Sequence, residues 1–303
     1  MKRRIRAMAL LAALTLLCGC GKKEAQPQQE DMAVNIMPVE GVTALELCDG
    51  EVTLRFARTD DTWHWVDDGT FPLDQDAVAA LLALPSSLAA AEPVQGQGEL
   101  SGYGLETPKK YVTATADGAD STIYVGSQTS DGRWYVLTPD GVVRLAAQAD
   151  GEALSRSIYD MAVLPELPAI TEENLISLTL TGAEGKQVTF SVDESGVRRS
   201  GARDVTEKTA SLVDELGKLA VTACVDYDPA DGAAAVCGLD VPEAILAVNY
   251  VNAHGGDGAL TLTVGGSTGD GGRYVTLNGD ATIYRMEETG LAQVLTLAAL
   301  GLS

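Results

Sequence analysis

Gly265-Gly266-Ser267-Thr268-Gly269 has the Gly-x-Ser-x-Gly spacing of a hydrolase nucleophile elbow. Such an elbow holds its serine on a sharp turn between a strand and a helix, and needs a histidine later in the chain. Here a strand-like run, Tyr274 to Leu277, follows the motif, and the last histidine is His254. The segment therefore reads as a hairpin loop. Asp226, Asp228 and Asp231 carry oxygens at intervals suggestive of a calcium loop. Counted from Asp226, however, Ala230 takes position 5, Asp231 stands where glycine is required, and Cys237 replaces the closing glutamate. A solvated acidic loop is the better account.

His64 and His254 are the 2 histidines of the chain, and neither has metal-ligand partners at a supporting spacing. Both read as ordinary polar histidines. Trp63 and Trp65, at spacing two, leave the same face of a strand, with His64 pointing the opposite way. Paired tryptophans could stack on a sugar, but only 5% of residues are aromatic, so the core needs these rings. Cys224 and Cys237 have twelve residues between them, and Cys48 stands apart. An oxidising compartment permits a bridge between Cys224 and Cys237, worth about 3 kcal/mol. The odd number of cysteines beyond Cys20 favours buried thiols. No catalytic, cofactor-binding or metal-binding residue is assigned.

Those residues must be positioned by a chain of 303 residues, 46% hydrophobic, a length that suggests two globular domains. The net charge is −22, from 21 basic and 43 acidic residues. That balance supplies no basic footprint for nucleic acid.

Four of the basic residues are Lys2, Arg3, Arg4 and Arg6, and an apolar run follows from Ala7 to Leu17. The run is short for a membrane span of about 20 residues and suits the apolar region of a secretory signal. Its ending, Leu17-Cys18-Gly19-Cys20, resembles a bacterial lipoprotein signal, with residues 1–19 removed and Cys20 lipidated, palmitate being one acyl group such anchors carry. Removal takes four positive charges from the 21, leaving 17 basic against 43 acidic residues, a net charge of −26. Residues 20–38 are polar and lack periodicity, as a flexible tether does.

An internal repeat organises the remainder. Ala44 to Leu47 reads like Ser177 to Leu180, offset by 133, and Tyr103-Gly104-Leu105-Glu106-Thr107-Pro108 reads like Cys237-Gly238-Leu239-Asp240-Val241-Pro242, offset by 134. Val125-Gly126 matches Val264-Gly265 and Tyr135-Val136 matches Tyr274-Val275, both at 139, and Val143-Arg144-Leu145 matches Tyr284-Arg285-Met286 at 141. The offset drifts as insertions in loops would make it drift. The expected copies are residues 39–165 and 166–303.

In the first copy, alternating residues near 42–48 and 51–58 flank Asp49-Gly50, a hairpin signal. Asp74 is a candidate N-cap for a helix bearing Val78, Leu81 and Leu82 and stopping near Pro85. Strands follow near 111–116, 121–125, 133–138 and 142–145, then a closing helix over 147–159. The second copy repeats this with strands near 175–181 and 186–192, a helix over 204–219, strands near 244–252, 258–264, 272–277 and 281–286, and a last helix from Glu287. Turn-linked strands without alternating helices predict antiparallel pairing and an α+β class.

The repeat, together with Phe71-Pro72-Leu73-Asp74-Gln75 and Tyr103-Gly104-Leu105-Glu106-Thr107-Pro108, resembles the bacterial family called domain of unknown function 4340. Cys224-Val225-Asp226-Tyr227 is also similar to its lipoprotein members. The second copy lacks the tryptophans and has Val197-Arg198-Arg199 near that place. The resemblance implies an envelope lipoprotein, with some members encoded near ABC-type transport components, and no reaction. The expected function is a non-enzymatic binding or interaction module on the extracytoplasmic face of a bacterial cell membrane or outer membrane. Its expected partners are the membrane, through the lipid anchor, and an envelope or transporter protein. A carboxylate-dependent extracytoplasmic hydrolase and a solute-binding lipoprotein are the alternatives, and no cofactor is expected.

Overall fold

Alternation of core and solvent residues shapes both halves of the chain. The computed structural model describes residues 40–302. The first half contains β1 (Val42–Asp49), β2 (Thr53–Thr59), β3 (Thr62–Trp65), α1 (Gln75–Leu82), α2 (Leu84–Ala89), β4 (Glu92–Pro93), β5 (Lys110–Ala116), β6 (Ala119–Gln128), β7 (Trp134–Leu137), β8 (Val143–Ala146) and α3 (Gln148–Glu152). The second contains β9 (Leu175–Gly182), β10 (Gln187–Val192), β11 (Arg198–Ser200), β12 (Arg203–Asp204), α4 (Ala210–Leu216), β13 (Val221–Asp226), α5 (Ala233–Val236), β14 (Ala244–Val251), β15 (Asp257–Ser267), β16 (Gly272–Leu277), β17 (Ile283–Glu287) and α6 (Ala292–Leu300).

The strand orders are β3-β2-β1-β5-β6-β7-β8-β4 and β12-β11-β10-β9-β14-β15-β16-β17-β13. Apart from the extra β12, these are one topology written twice. Every pairing is antiparallel, and the class is α+β. Register aligns the copies residue by residue. Leu45 faces Phe56 and Ala114, as Leu178 faces Phe190 and Val248. One sequence match shifts: Arg144 pairs with Val136, and Tyr284, not Arg285, pairs with the equivalent Val275. The offset there is therefore 140, which places buried Val143 and Ile283 at the same station.

Each sheet buries one face beneath its own helices. In the first, Leu45, Phe56, Val112 and Ile123 meet Val78, Leu81 and Leu88 of α1 and α2. In the second, Leu178, Phe190, Leu246 and Leu262 meet Leu212 and Leu216 of α4 and Val294 of α6. Asp74 caps α1, accepting from the amides of Asp76 at 2.9 Å and Ala77 at 3.3 Å. Pro85 does not end helical structure. It sits in the first turn of α2, where its missing N–H leaves no bond unmade.

The expected closing helix over 147–159 is broken into α3 and two 3₁₀ turns, Ala153–Ser155 and Ile158–Met161. Ser157 starts the last with a capping box, which competes with helix continuation. The expected helix over 204–219 shortens to a 3₁₀ turn, Glu207–Thr209, followed by α4. All the described residues fall within one compact unit.

Candidate functional site

The helices leave the opposite face of each sheet open, and its side chains follow from strand parity. On the first sheet the open face carries Glu46, Arg55, Tyr111 and Tyr124. The Tyr111 hydroxyl donates to Glu46 Oε1 at 2.5 Å, and Arg55 Nε lies 3.4 Å from Glu46 Oε2. Arg55 also reaches Asp67 at 3.4 Å. The Tyr111 and Tyr124 rings meet edge to face at 6.4 Å, and Tyr124 is 38% exposed. Beside them the hydroxyls of Thr113 and Thr122 lie 2.8 Å apart. The hydrogen bond to Glu46, then burial, pushes the Tyr111 phenol above its ordinary pKa.

The second sheet places other residues at the same stations. Thr179 replaces Glu46, Thr189 replaces Arg55, Ile245 replaces Tyr111 and Thr263 replaces Tyr124, by the register of the core strands. None of these four replacements carries a charge. The tyrosine, arginine and glutamate cluster was not singled out from the sequence. The signal was present: Tyr111 and Tyr124 stand at non-core parity, and the repeat offsets of 134 and 139 align them with Ile245 and Thr263.

A seam joins the two copies through β13, a strand that the sequence reading left unassigned. Cys224 of β13 is buried in the first core, and Tyr227 and Tyr284 pack against that core. Tyr159 donates to Asp226 Oδ1 at 3.1 Å, and Tyr227 donates to the Thr70 carbonyl at 3.2 Å. Phe71 is met edge-on by Trp65 at 5.5 Å and by Tyr227 at 5.2 Å. Burial, reinforced by the Asp226 charge, raises the Cys224 thiol to about 11. Burial also raises Tyr159 and Tyr284. Cys224-Val225-Asp226-Tyr227 is thus a structural strap from the second copy into the first.

The remaining singled-out residues take structural places. Trp63 is 7% exposed and belongs to the first core, with Trp65 packed against it. His64 is half-buried on the other face of β3, and His254 is exposed in the turn after β14. Ser267 ends β15, and Gly269 and Gly271 turn the chain with positive φ into β16, so the Gly-x-Ser-x-Gly segment is a hairpin. Asp226 is engaged by Tyr159, while Asp228 and Asp231 are surface residues of the following loop.

Cys48, Cys224 and Cys237 are all free and buried, so the bridge considered between Cys224 and Cys237 is not formed. Cys224 faces the first core, whereas Cys237 caps α5 against the β15 hairpin, its carbonyl accepting from Gly266 N at 2.8 Å. Cys20 and residues 20–38 lie outside the described residues.

The Gly-Leu-Glu and Gly-Leu-Asp motifs form a clasp in both copies. Gly104 and Gly238 adopt φ of +69°, which favours glycine. A Cβ on Gly126 would stand 2.2 Å from the Tyr103 carbonyl oxygen, and one on Gly265 would stand 2.4 Å from that of Cys237. Both glycines let the motif loop close onto a bulged strand. No helix among the described residues is long and apolar enough to cross a membrane.

A family model described as Domain of unknown function (DUF4340) matches residues 63–231 and residues 204–298. The first segment covers the first copy from residue 63 onward and continues through the start of the second copy to the β13 strap, and the second covers most of the second copy. No curated protein and no solved structure matches the chain.

Proposed function

We propose, for a chain that belongs to the family described as domain of unknown function 4340, a non-enzymatic interaction module of the bacterial envelope. Cys20, lipidated, holds it at the membrane, and residues 20–38 tether a body that docks a protein partner, an ABC-type transport complex being the partner class. At a net charge of −26 the body is repelled by anionic headgroups, so acyl chains are its means of attachment.

One observation carries the docking reading. Two sheets of one topology each leave a face open, and only the first dresses it with Tyr111, Tyr124, Arg55 and Glu46. Tyrosine and arginine are the residue types that dominate interface energetics, because each combines large apolar contact area with a polar end. In the second copy those stations hold Ile245, Thr263, Thr189 and Thr179, so the strand topology does not require the cluster.

The test places a photo-crosslinking residue at Thr122 or at its equivalent, Thr261, in intact membranes. Adducts with transport components from position 122, absent from 261 and lost on combining Tyr124→Ala with Arg55→Ala, are expected. A solitary monomer at both positions overturns the reading. Incorporation of a labelled fatty acid tests the anchor separately, and labelling that persists in Cys20→Ser sinks it.

A further inference from the structure

Three surface grooves of similar size differ in how their charges are balanced. The groove of about 610 Å³ beside α4 is lined by Glu172, Asp214 and Lys218. Lys218 pairs with Asp214 at 2.6 Å, and Glu172 pairs with Arg198 at 3.1 Å. The groove of about 600 Å³ beside α6 is lined by Arg273, held between Glu243 at 2.6 Å and Glu288 at 2.9 Å. Both have their charges internally matched.

The third groove, about 590 Å³, lies along the connection between the copies, where Pro165-Glu166-Leu167-Pro168 forms one wall. The other wall is Tyr250 of β14, Leu260 of β15, Leu277 of β16 and Tyr284 of β17, with Asp280 in the turn between the last two. Glu166 and Asp280 are its charged lining residues, and no lysine, arginine or histidine lines it. Neither carboxylate has an ion pair among the described residues. Asp280 uses one oxygen to accept from Thr282 N at 3.3 Å, leaving the other available.

We infer that this groove binds a small organic ammonium compound with an apolar body. The volume lies in the range of small-molecule sites, which combine apolar walls with a few polar groups that fix orientation. An ammonium gains from tyrosine rings and from carboxylates, and the apolar body packs against Pro165, Leu167 and Pro168, which are partly exposed. A bare calcium ion would call for about six to eight converging oxygens, whereas only two carboxylates line this groove. The ligand site is independent of what docks on the first sheet.

Calorimetric or NMR titration of the full chain with 2-phenylethylammonium, 2-phenylethanol and 3-phenylpropionate tests it. Saturable binding of the ammonium is expected, with the alcohol about tenfold weaker and the carboxylate weaker still. Glu166→Gln combined with Asp280→Asn, both at exposed positions, weakens the ammonium about tenfold. Glu51→Gln combined with Glu194→Gln removes the same charge elsewhere and leaves binding unchanged. The inference is overturned by no saturation up to about 10 mM, by equal binding of the alcohol, or by equal loss in both double variants.

Discussion

The two sheets share their strand order and their core stations, and they part company on the open face and at one buried place. Leu45, Phe56 and Val125 have Leu178, Phe190 and Val264 as counterparts, all buried. Packing holds such positions to apolar residues of similar volume, because a lost methylene costs contact area and leaves a void. Open-face stations carry no such constraint, and there a Tyr, Arg and Glu cluster stands opposite Ile and Thr. The buried exception is more instructive. Arg58 pairs with Trp63, and Val192, at the station of Arg58, pairs with Arg198. A core tryptophan in one copy is therefore an arginine in the other, with its side chain 4% exposed.

Arg198 is buried with two of its three guanidinium nitrogens bonded. Nη1 reaches Glu172 at 3.1 Å and Nη2 donates to the Thr206 carbonyl at 2.6 Å, while Nε has no partner among the described residues. In the first copy Gln75 does related work, accepting from Trp63 N at 2.9 Å and donating to Trp63 O at 3.0 Å. In the second copy Thr206 Oγ1 accepts from Arg198 N at 3.0 Å, so a side chain from the following segment ties down the strand in both cases.

Truncating the shared core should strike both copies hardest. Phe56→Ala and Phe190→Ala are each expected to cost about 3–5 kcal/mol, measured by denaturant unfolding. A loss confined to one of them would break the equivalence of the cores. Arg198→Ala should cost about 3 kcal/mol, since it leaves a void and the Thr206 carbonyl unmet. Arg198→Met fills most of the space and should cost less than about 1.5 kcal/mol. An equal loss in both variants would show that charge, not volume, sets this station.

The clasp glycines sharpen the comparison further. Gly126→Ala and Gly265→Ala should each destabilise by about 1–3 kcal/mol, because the new methyl meets a backbone carbonyl that cannot swing aside. On the open face, Tyr124→Thr imports the residue of the second copy and should move stability by no more than about 0.5 kcal/mol. A larger loss would make the cluster structural.

The smallest effect concerns Tyr111. Its pKa is raised in the folded state, so its contribution to stability is complete below the ordinary tyrosine pKa of 10.0 and is lost as pH rises through the raised value. Glu46→Gln should bring the tyrosinate absorbance transition of Tyr111 back down toward the ordinary value. An unmoved transition would remove Glu46 as the cause.

Much of the fold is legible in the sequence, for reasons tied to particular residues. Asp49-Gly50 marked the first hairpin, Asp74 marked the start of α1, and alternation at Leu45, Leu47, Leu54 and Phe56 marked strands with one buried face. The short strands failed. β4 has two residues and too little sequence to show a period, and β13 is recognisable as a strand only through its pairing with β17. Helix ends failed for a related reason: Ser157 and Pro85 each serve a new helical segment whose existence depends on the packing around it. The open-face cluster was within reach, since the repeat offsets and strand parity together locate Tyr111 and Tyr124.

By itself the sequence determined the local terms: which residues alternate, which cap a helix, where glycine must stand, and that one pattern occurs twice. Those are interactions between near neighbours, or comparisons of like with like, and they need no knowledge of distant contacts. Tertiary structure alone decided that Cys224 enters the core of the other copy and that Tyr227 packs against it. It also set Glu46, Arg55 and Tyr111 side by side across three strands, and put Arg198 at the station of Trp63. Each of these depends on strand register, which is settled by burial summed over a whole sheet and cannot be read from any one segment.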